Sequence, residues 1–397
     1  MIFSERKKFN AHFSEEKYQH FLNTISAYTQ HGIPFRLAET PIFVDRSFTQ
    51  QLLIAGDSIC EQMLSTNWKS LTEKAIPHYA LTLNESTIPQ CMVIDFAIAK
   101  NKEGAIQPKL IELQGFPSLF GFEVLHDIAF KKHFDIPDNM SPYLNGYMQE
   151  SYITHLAKMI LGDKQKHTIL LEIFPDQQKT NIDFYYTQKI INIPIVCISE
   201  IFSKDNHLYY KRDNKAIRIE RIYNRVVLDE LKKQDKVIQE KGALLQIAED
   251  LEWVNHPHHF FRYSKYSIPF LKGEAIPPSV FLDQIQTLPS NLENYVLKPL
   301  FSFAGQGVII DLDHNAIRSI PDPENWILQE KVEYASIIET PTGHAKAEIR
   351  LFYFWDEVQQ KYIATLNLAR LSKGKMIGVS YNQTATWVGG SLAYFEQ

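Results

Sequence analysis

The stretch YVLKPLFSFAGQGVII places one lysine, Lys298, inside an apolar β-type run, then a small-residue loop from Ser302 to Gly307, before the chain turns apolar again. A buried ammonium needs a partner, and a phosphate would supply one; backbone N–H groups at Ala304, Gly305 and Gly307 would close over the same anion. The other reading is an ordinary hairpin whose turn uses glycine for positive φ, with Lys298 lying along a strand end and its head in water. Further on, WILQEKVEY is an apolar strand ending in polar Gln329, Glu330 and Lys331. A strand leaving the core in this way could offer backbone groups to an adenine edge, although a plain strand-to-loop transition has the same composition.

Oxygen ligands are concentrated elsewhere. Asp95 sits among apolar neighbours in MVIDFAIA, while Glu112 and Gln114 alternate in LIELQGFPS. Side chains two apart on a strand share a face, so Glu112 and Gln114 point together. With the turn at NKEG, Asp95 falls across the ladder within about a residue or two of Glu112. Two carboxylates and an amide oxygen make a hard-oxygen set suited to Mg²⁺ held between protein and phosphates, and such a pair would be costly to bury without a cation. A surface hairpin with solvated acids is the alternative. In RIERIYNRVVLDEL, strand alternation could turn two arginines, Arg221 and Arg225, into a cleft for a carboxylate substrate, or leave them on a solvated basic edge. The histidines of NHPHHFF (His256, His258, His259) invite a metal, but Pro257 breaks any helical i, i+4 face and a polar loop is the expectation.

These residues need elements to position them. Helical apolar spacing covers residues 14–31 and 46–74, with Phe48, Leu52, Leu53, Ile59 and Met63 on one stripe. CMVIDFAIAK and AIQPKLIELQG form a hairpin about NKEG. Residues 122–160 are expected to be helical. KHTILLEIF, DQQKTNIDFYYTQKI and IPIVCIS follow as a βαβ-like unit, then LYYKRDNKAIRIERIYNR as a hairpin plus strand and VVLDELKKQDKVIQEKGALLQIAED as helix. The last third, with AEIRLFYFWD, KYIATLNLARLS and KMIGVSYNQ, is strand-rich. The expected units are 1–160 (helical region plus acidic hairpin), 161–245 (small α/β unit) and 246–397 (lysine-bearing lobes).

Composition narrows the function class. In 397 residues, 41 Lys plus Arg against 46 Asp plus Glu give a net charge of −5, without the basic excess that grips a phosphate backbone, so no nucleic-acid partner is expected. No apolar run approaches bilayer length and the first residues carry charges of both signs, so no membrane association and a cytoplasmic location are expected. Cys60, Cys91 and Cys197 are far apart and lack C-x-x-C spacing, which suits buried packing thiols. Phosphate-loop, H-E-x-x-H, G-x-S-x-G and G-x-G-x-x-G signatures are absent from the sequence.

Taken in order, these residues resemble the ATP-grasp superfamily, in particular its circularly permuted branch of glutathionylspermidine synthetase and eukaryotic glutathione synthetase. The resemblance implies an α+β fold, ATP-grasp-like (glutathione synthetase ATP-binding-domain-like) and circularly permuted, with a small α/β substrate domain. It implies a metal site at Asp95, Glu112 and Gln114, with Gln where the family usually has Asn. By the same resemblance, Lys265 in RYSKYSIPFL and Lys298 are the nucleotide lysines, and Ser302, Gly305, Gln306 and Gly307 belong to the phosphate loop. Gln329, Glu330 and Val332 fall on the adenine hinge. Arg350 in AEIRLFYF matches an arginine that steadies the transferred phosphoryl group, and Glu348 is a weaker candidate. The family pattern has arginine two positions before the metal aspartate, where this chain has Val93. The activity implied is an ATP- and Mg²⁺-dependent carboxylate–amine ligase acting through an acyl phosphate on small carboxylate and amine substrates. A non-catalytic nucleotide-binding module and a phosphotransferase are the alternatives.

Overall fold

Cys91–Lys100 is buried along nine of its ten residues, which puts it inside a sheet covered on both faces. It pairs antiparallel with Ile106–Gln114 on one side and with Gly343–Asp356 on the other. Lys361–Ser372 and Gly389–Ser391 extend the sheet beyond, and Ile338–Thr340 also pairs with Gly343–Asp356. The computed structural model describes residues 1–397 except 30–31, 163–165, 303–304, 376 and 378–384; most of the strand expected at KMIGVSYNQ therefore lies outside the described residues.

Alternation sorts the two faces. Met92, Ile94, Phe96 and Ile98 pack with Ile349, Leu351 and Tyr353 against Phe48, Leu52, Ile59 and Met63 of the helix Arg46–Met63. That helix starts where the Asp45 carboxylate accepts the Phe48 N–H at 2.9 Å. On the other face Cys91 and Val93 lie in an aromatic cluster with Phe352, Phe354, Phe120 and Phe130. Two residues further along that face the side chain is Asp95, opposite Arg350, so the apolar face gives way to charge within one strand.

The segment 122–160 is two helices, Phe122–His133 and Gln149–Leu161, with a two-residue strand, Met140–Ser141, between them. The expected βαβ unit is present as Thr168–Glu172, Asn181–Ile191 and Ile195–Cys197. Its sheet is parallel, ordered Glu252–Val254, Arg221–Asn224, Thr168–Glu172, Ile195–Cys197, and so takes its fourth strand from beyond residue 245. Asp183 of the helix Asn181–Ile191 ties this unit to the rest: its carboxylate accepts the backbone N–H groups of Leu119, Gly121 and Phe122, each at 2.9 Å.

A separate antiparallel sheet is ordered Ser279–Phe281, Trp326–Glu330, Tyr295–Pro299. Leu297 and Leu328 face its own small core, so Val296, Lys298 and Gln329 face the opposite way. The expected return strand after the glycine loop is a single bridge between Leu297 and Ile309. Cys60 and Cys91 are buried, Cys197 is half-buried, and all three are free thiols.

The histidine segment departs from expectation. Pro257 begins a short helix, Pro257–Arg262, whose histidines are buried. Proline at a first helical turn costs no hydrogen bond, so it marks a start here and not a break.

Candidate functional site

The face of the lysine sheet that carries Val296, Lys298 and Gln329 looks across a cavity of about 450 Å³ towards the end of the central sheet. Glu112, Lys265, Gly305, Glu330 and Val332 line it as well, so residues from widely separated segments converge on one space. Ser302, Gln306 and Gln114 are not among its lining residues, and Ala304 lies outside the described residues.

Lys298 is 8% exposed. Its Nζ donates to the Ile111 carbonyl at 3.0 Å, and among the described residues it has no carboxylate within ion-pair distance. An ammonium has three protons to place, so this one is under-satisfied. Burial, only partly offset by the more distant Glu112, pulls its pKa down to about 8. Lys265 is better held: Nζ lies 2.7 Å from Glu112 Oε1 and donates to the Ser302 carbonyl at 2.7 Å. Gly305 and Gly307 have φ of +74° and +77°, backbone that favours glycine, and a Cβ on Gly307 would come within 3.0 Å of Pro299.

At the far end, Gln329 is buried and donates from Nε2 to Ser279 Oγ at 2.9 Å. Glu330 and Lys331 give their N–H groups to the Pro278 and Asn294 carbonyls, and the N–H of Val332 has no protein acceptor among the described residues. That N–H lies beside the apolar side chains of Val296, Val308, Ile310 and Ile377, so an unpaired donor borders an apolar wall.

The acidic hairpin pairs as its pattern implied, with Asp95 directly opposite Glu112. Residues so paired share a face, and Arg350 stands opposite Asp95 on the other side. Arg350 Nε and Nη2 meet the two Asp95 oxygens at 2.6 and 2.8 Å in a bidentate pair. Arg370 bonds the same carboxylate and lies 3.0 Å from Glu348 Oε2, while Tyr334 donates its hydroxyl to the other Glu348 oxygen. Burial alone would raise the Asp95 pKa, but the two guanidiniums outweigh it and hold the carboxyl below its usual range. At Glu348 burial wins, and the pKa is raised despite Arg370. Glu348, Tyr334 and Arg370 line the cavity, whereas Gln114 lies in a narrow slot leading from Glu112 and Lys265 to Phe116.

Arg370 and Tyr334 escaped the sequence reading. Arg370 gave the same signal as Lys298, a lone charge in an apolar strand (NLARLS), but its partners are set by sheet register. Of the two proposed substrate arginines, Arg221 is engaged elsewhere: it ion-pairs with Glu252 at 2.6 Å and donates to the Met159 and Ile160 carbonyls at a helix end. Arg225 is buried beside the slot, its guanidinium 4.9 Å from the Phe116 ring centroid and its Nη1 on the Pro117 carbonyl.

The histidine cluster is spoken for. Glu85, His256 and His258 place ligand atoms within 4.8 Å of one another, but Arg262 already bonds both Glu85 oxygens. The Thr82 N–H donates to His258 Nε2, and His256 bonds Leu83 O and the His258 N–H. Burial drives His256 and His259 down to about 3 and about 4, so both rings stay neutral at pH 7 within a structural hydrogen-bond network.

No protein family matches the sequence, and no curated protein does. Among solved structures the chain is similar to a glutathione synthetase-like effector from Globodera pallida in its apo form. The TM-score is 0.60 over 98% of each chain, at 11% sequence identity, a likeness of fold.

Proposed function

We propose that this chain is an ATP- and Mg²⁺-dependent carboxylate–amine ligase built on a circularly permuted ATP-grasp fold and working through an acyl phosphate. One observation carries the reading: Lys298 is buried with a single carbonyl partner among the described residues and faces a cavity that also holds Lys265, a glycine turn and a free backbone edge. An anion lying along Lys298 and Lys265 supplies the missing acceptors, and the Gln329–Val332 edge takes a purine at the other end.

The donor set suits a hard divalent cation. Asp95 and Glu112 are carboxylates in direct cross-strand register; Glu112 and Glu348 line the cavity, and Asp95 lies behind them, bonded to Arg370. Asp95 and Glu112 would hold Mg²⁺, with Gln114 set back. When bound, the ion would neutralise charge developing on the transferred phosphoryl group. Arg350, held on Asp95 behind the cavity lining, would have to leave that carboxylate to reach the transferred phosphoryl group and steady the acyl phosphate. The glycine turn at Gly305 and Gly307 would cover the phosphates and exclude water that would hydrolyse that intermediate. Arg225, next to the slot beyond Gln114, is the candidate anchor for the carboxylate substrate.

A second reading, a nucleotide-binding module without chemistry, is favoured by the double arginine hold on Asp95. Calorimetric titration of a non-hydrolysable ATP analogue, with and without Mg²⁺, tests the shared part. Binding that is lost in Lys298→Ala is expected, and unchanged affinity in that variant refutes the site. ADP release on adding carboxylate and amine pairs then separates ligase from module.

A further inference from the structure

Arg370 has no part in the ligase reading above, yet it is the guanidinium that lines the cavity. It bonds Asp95, lies 3.0 Å from Glu348 Oε2, and its buried Nε has no hydrogen-bond partner among the described residues. A guanidinium stays charged at any pH the protein meets, so Arg370 is a permanent cation. Among the described residues, those lining the cavity together with Asp95 and Arg350 behind it carry five carboxylates against seven cations. The cluster is therefore already net positive. A divalent cation entering at Asp95 would meet two guanidiniums on the oxygens it needs and would add charge of the same sign in a poorly solvated place. A polyphosphate reverses the balance. Guanidinium binds phosphate oxygens bidentately, and drawing Arg370 to phosphate leaves Asp95 held by Arg350 alone, with the position that Arg370 occupied on Oδ2 open to a cation.

We propose that Arg370 is a phosphate-binding residue of this cavity and that, until a polyphosphate draws it away, it keeps Asp95 closed to divalent cations. The proposal rests on the nucleotide reading of the cavity and adds an order of events: the cation enters with or after the nucleotide, never before it. Arg350 alone does not suffice for the block, because it does not line the cavity, whereas Arg370 both lines the cavity and bonds Asp95.

Mn²⁺, followed by its paramagnetic resonance, and a non-hydrolysable ATP analogue serve as probes on the full chain. Native protein is expected to take no Mn²⁺ at millimolar concentration without the analogue and to take it once the analogue is present. Arg370→Met should bind Mn²⁺ at least about tenfold more tightly than native protein in the absence of analogue, and should bind the analogue in EDTA at least about tenfold more weakly. Arg370→Lys keeps the charge and loses the fork. It should still exclude Mn²⁺ while weakening the analogue severalfold, and it decides the matter if the methionine variant does not fold. Mn²⁺ uptake by native protein before nucleotide, or native analogue affinity in either variant, overturns the proposal while leaving the nucleotide site standing. Failure of native protein to bind the analogue in EDTA or in Mg²⁺ overturns the nucleotide reading and this inference together.

Discussion

Because Lys298 titrates near about 8 when the cavity holds no anion, nucleotide affinity should fall with rising pH above that value. The phosphate needs the ammonium form. Below about pH 8 the lysine is already charged and affinity is flat; above it, a proton must be taken up on binding, and each further pH unit costs about tenfold. At about pH 9 roughly one Lys298 in eleven is charged, so the apparent Kd should be about tenfold weaker than at about pH 7, or about 1.4 kcal/mol. Lys298→Arg removes the proton linkage, since guanidinium stays charged throughout, and its affinity, whatever its absolute value, should not vary over that window. Calorimetry of a non-hydrolysable ATP analogue between about pH 7 and about pH 9.5, in two buffers of different ionisation heat, reads both the affinity and the protons taken up. A Kd that stays constant to about pH 9.5 with no proton uptake would refute the reasoning, because the buried ammonium would then not be what the anion meets.

Two further outcomes concern the frame around the site. Asp183→Ala strips the acceptor from three backbone N–H groups in the loop that follows the acidic hairpin, and should cost about 3–5 kcal/mol in urea unfolding, with Asp183→Asn recovering part of it. Gly56→Ala sets a methyl 1.9 Å from the buried Tyr353 Oη, an overpacking expected to cost about 1–3 kcal/mol in melting experiments and to be partly relieved by Tyr353→Phe.

Much of this was legible in the residues because the signals were local. NKEG between two apolar runs marked the hairpin, alternation put Glu112 and Gln114 on one face, and the turn brought Asp95 within about a residue or two of Glu112; the register sets the two carboxylates directly opposite. A single lysine in VLKPL stood out against its neighbours. What stayed hidden depends on distant pairings. The partners of Arg370 lie 275 residues away at Asp95 and on the neighbouring strand at Glu348, and no local pattern encodes that register. Arg221 looked like a cleft residue because strand alternation cannot reveal Glu252 on the adjacent parallel strand. Pro257 was misread as a breaker because the same residue starts a helix and ends one, and only the chain before it decides which.

The central sheet also has a consequence for how the chain reaches its structure. Cys91–Lys100, apolar on both faces, bonds on one side to Gly343–Asp356, with Asp95 and Arg350 separated by 255 residues. During synthesis at about 5–20 residues per second, the open edge of that hairpin waits on the order of ten to fifty seconds for its partner to be made. Pairings this distant are slow to close, and an unpaired apolar edge is a template for other chains. Expression in cells should therefore depend on chaperones that hold the first hairpin, and fragments ending before residue 343 should aggregate although they contain most of the sequence.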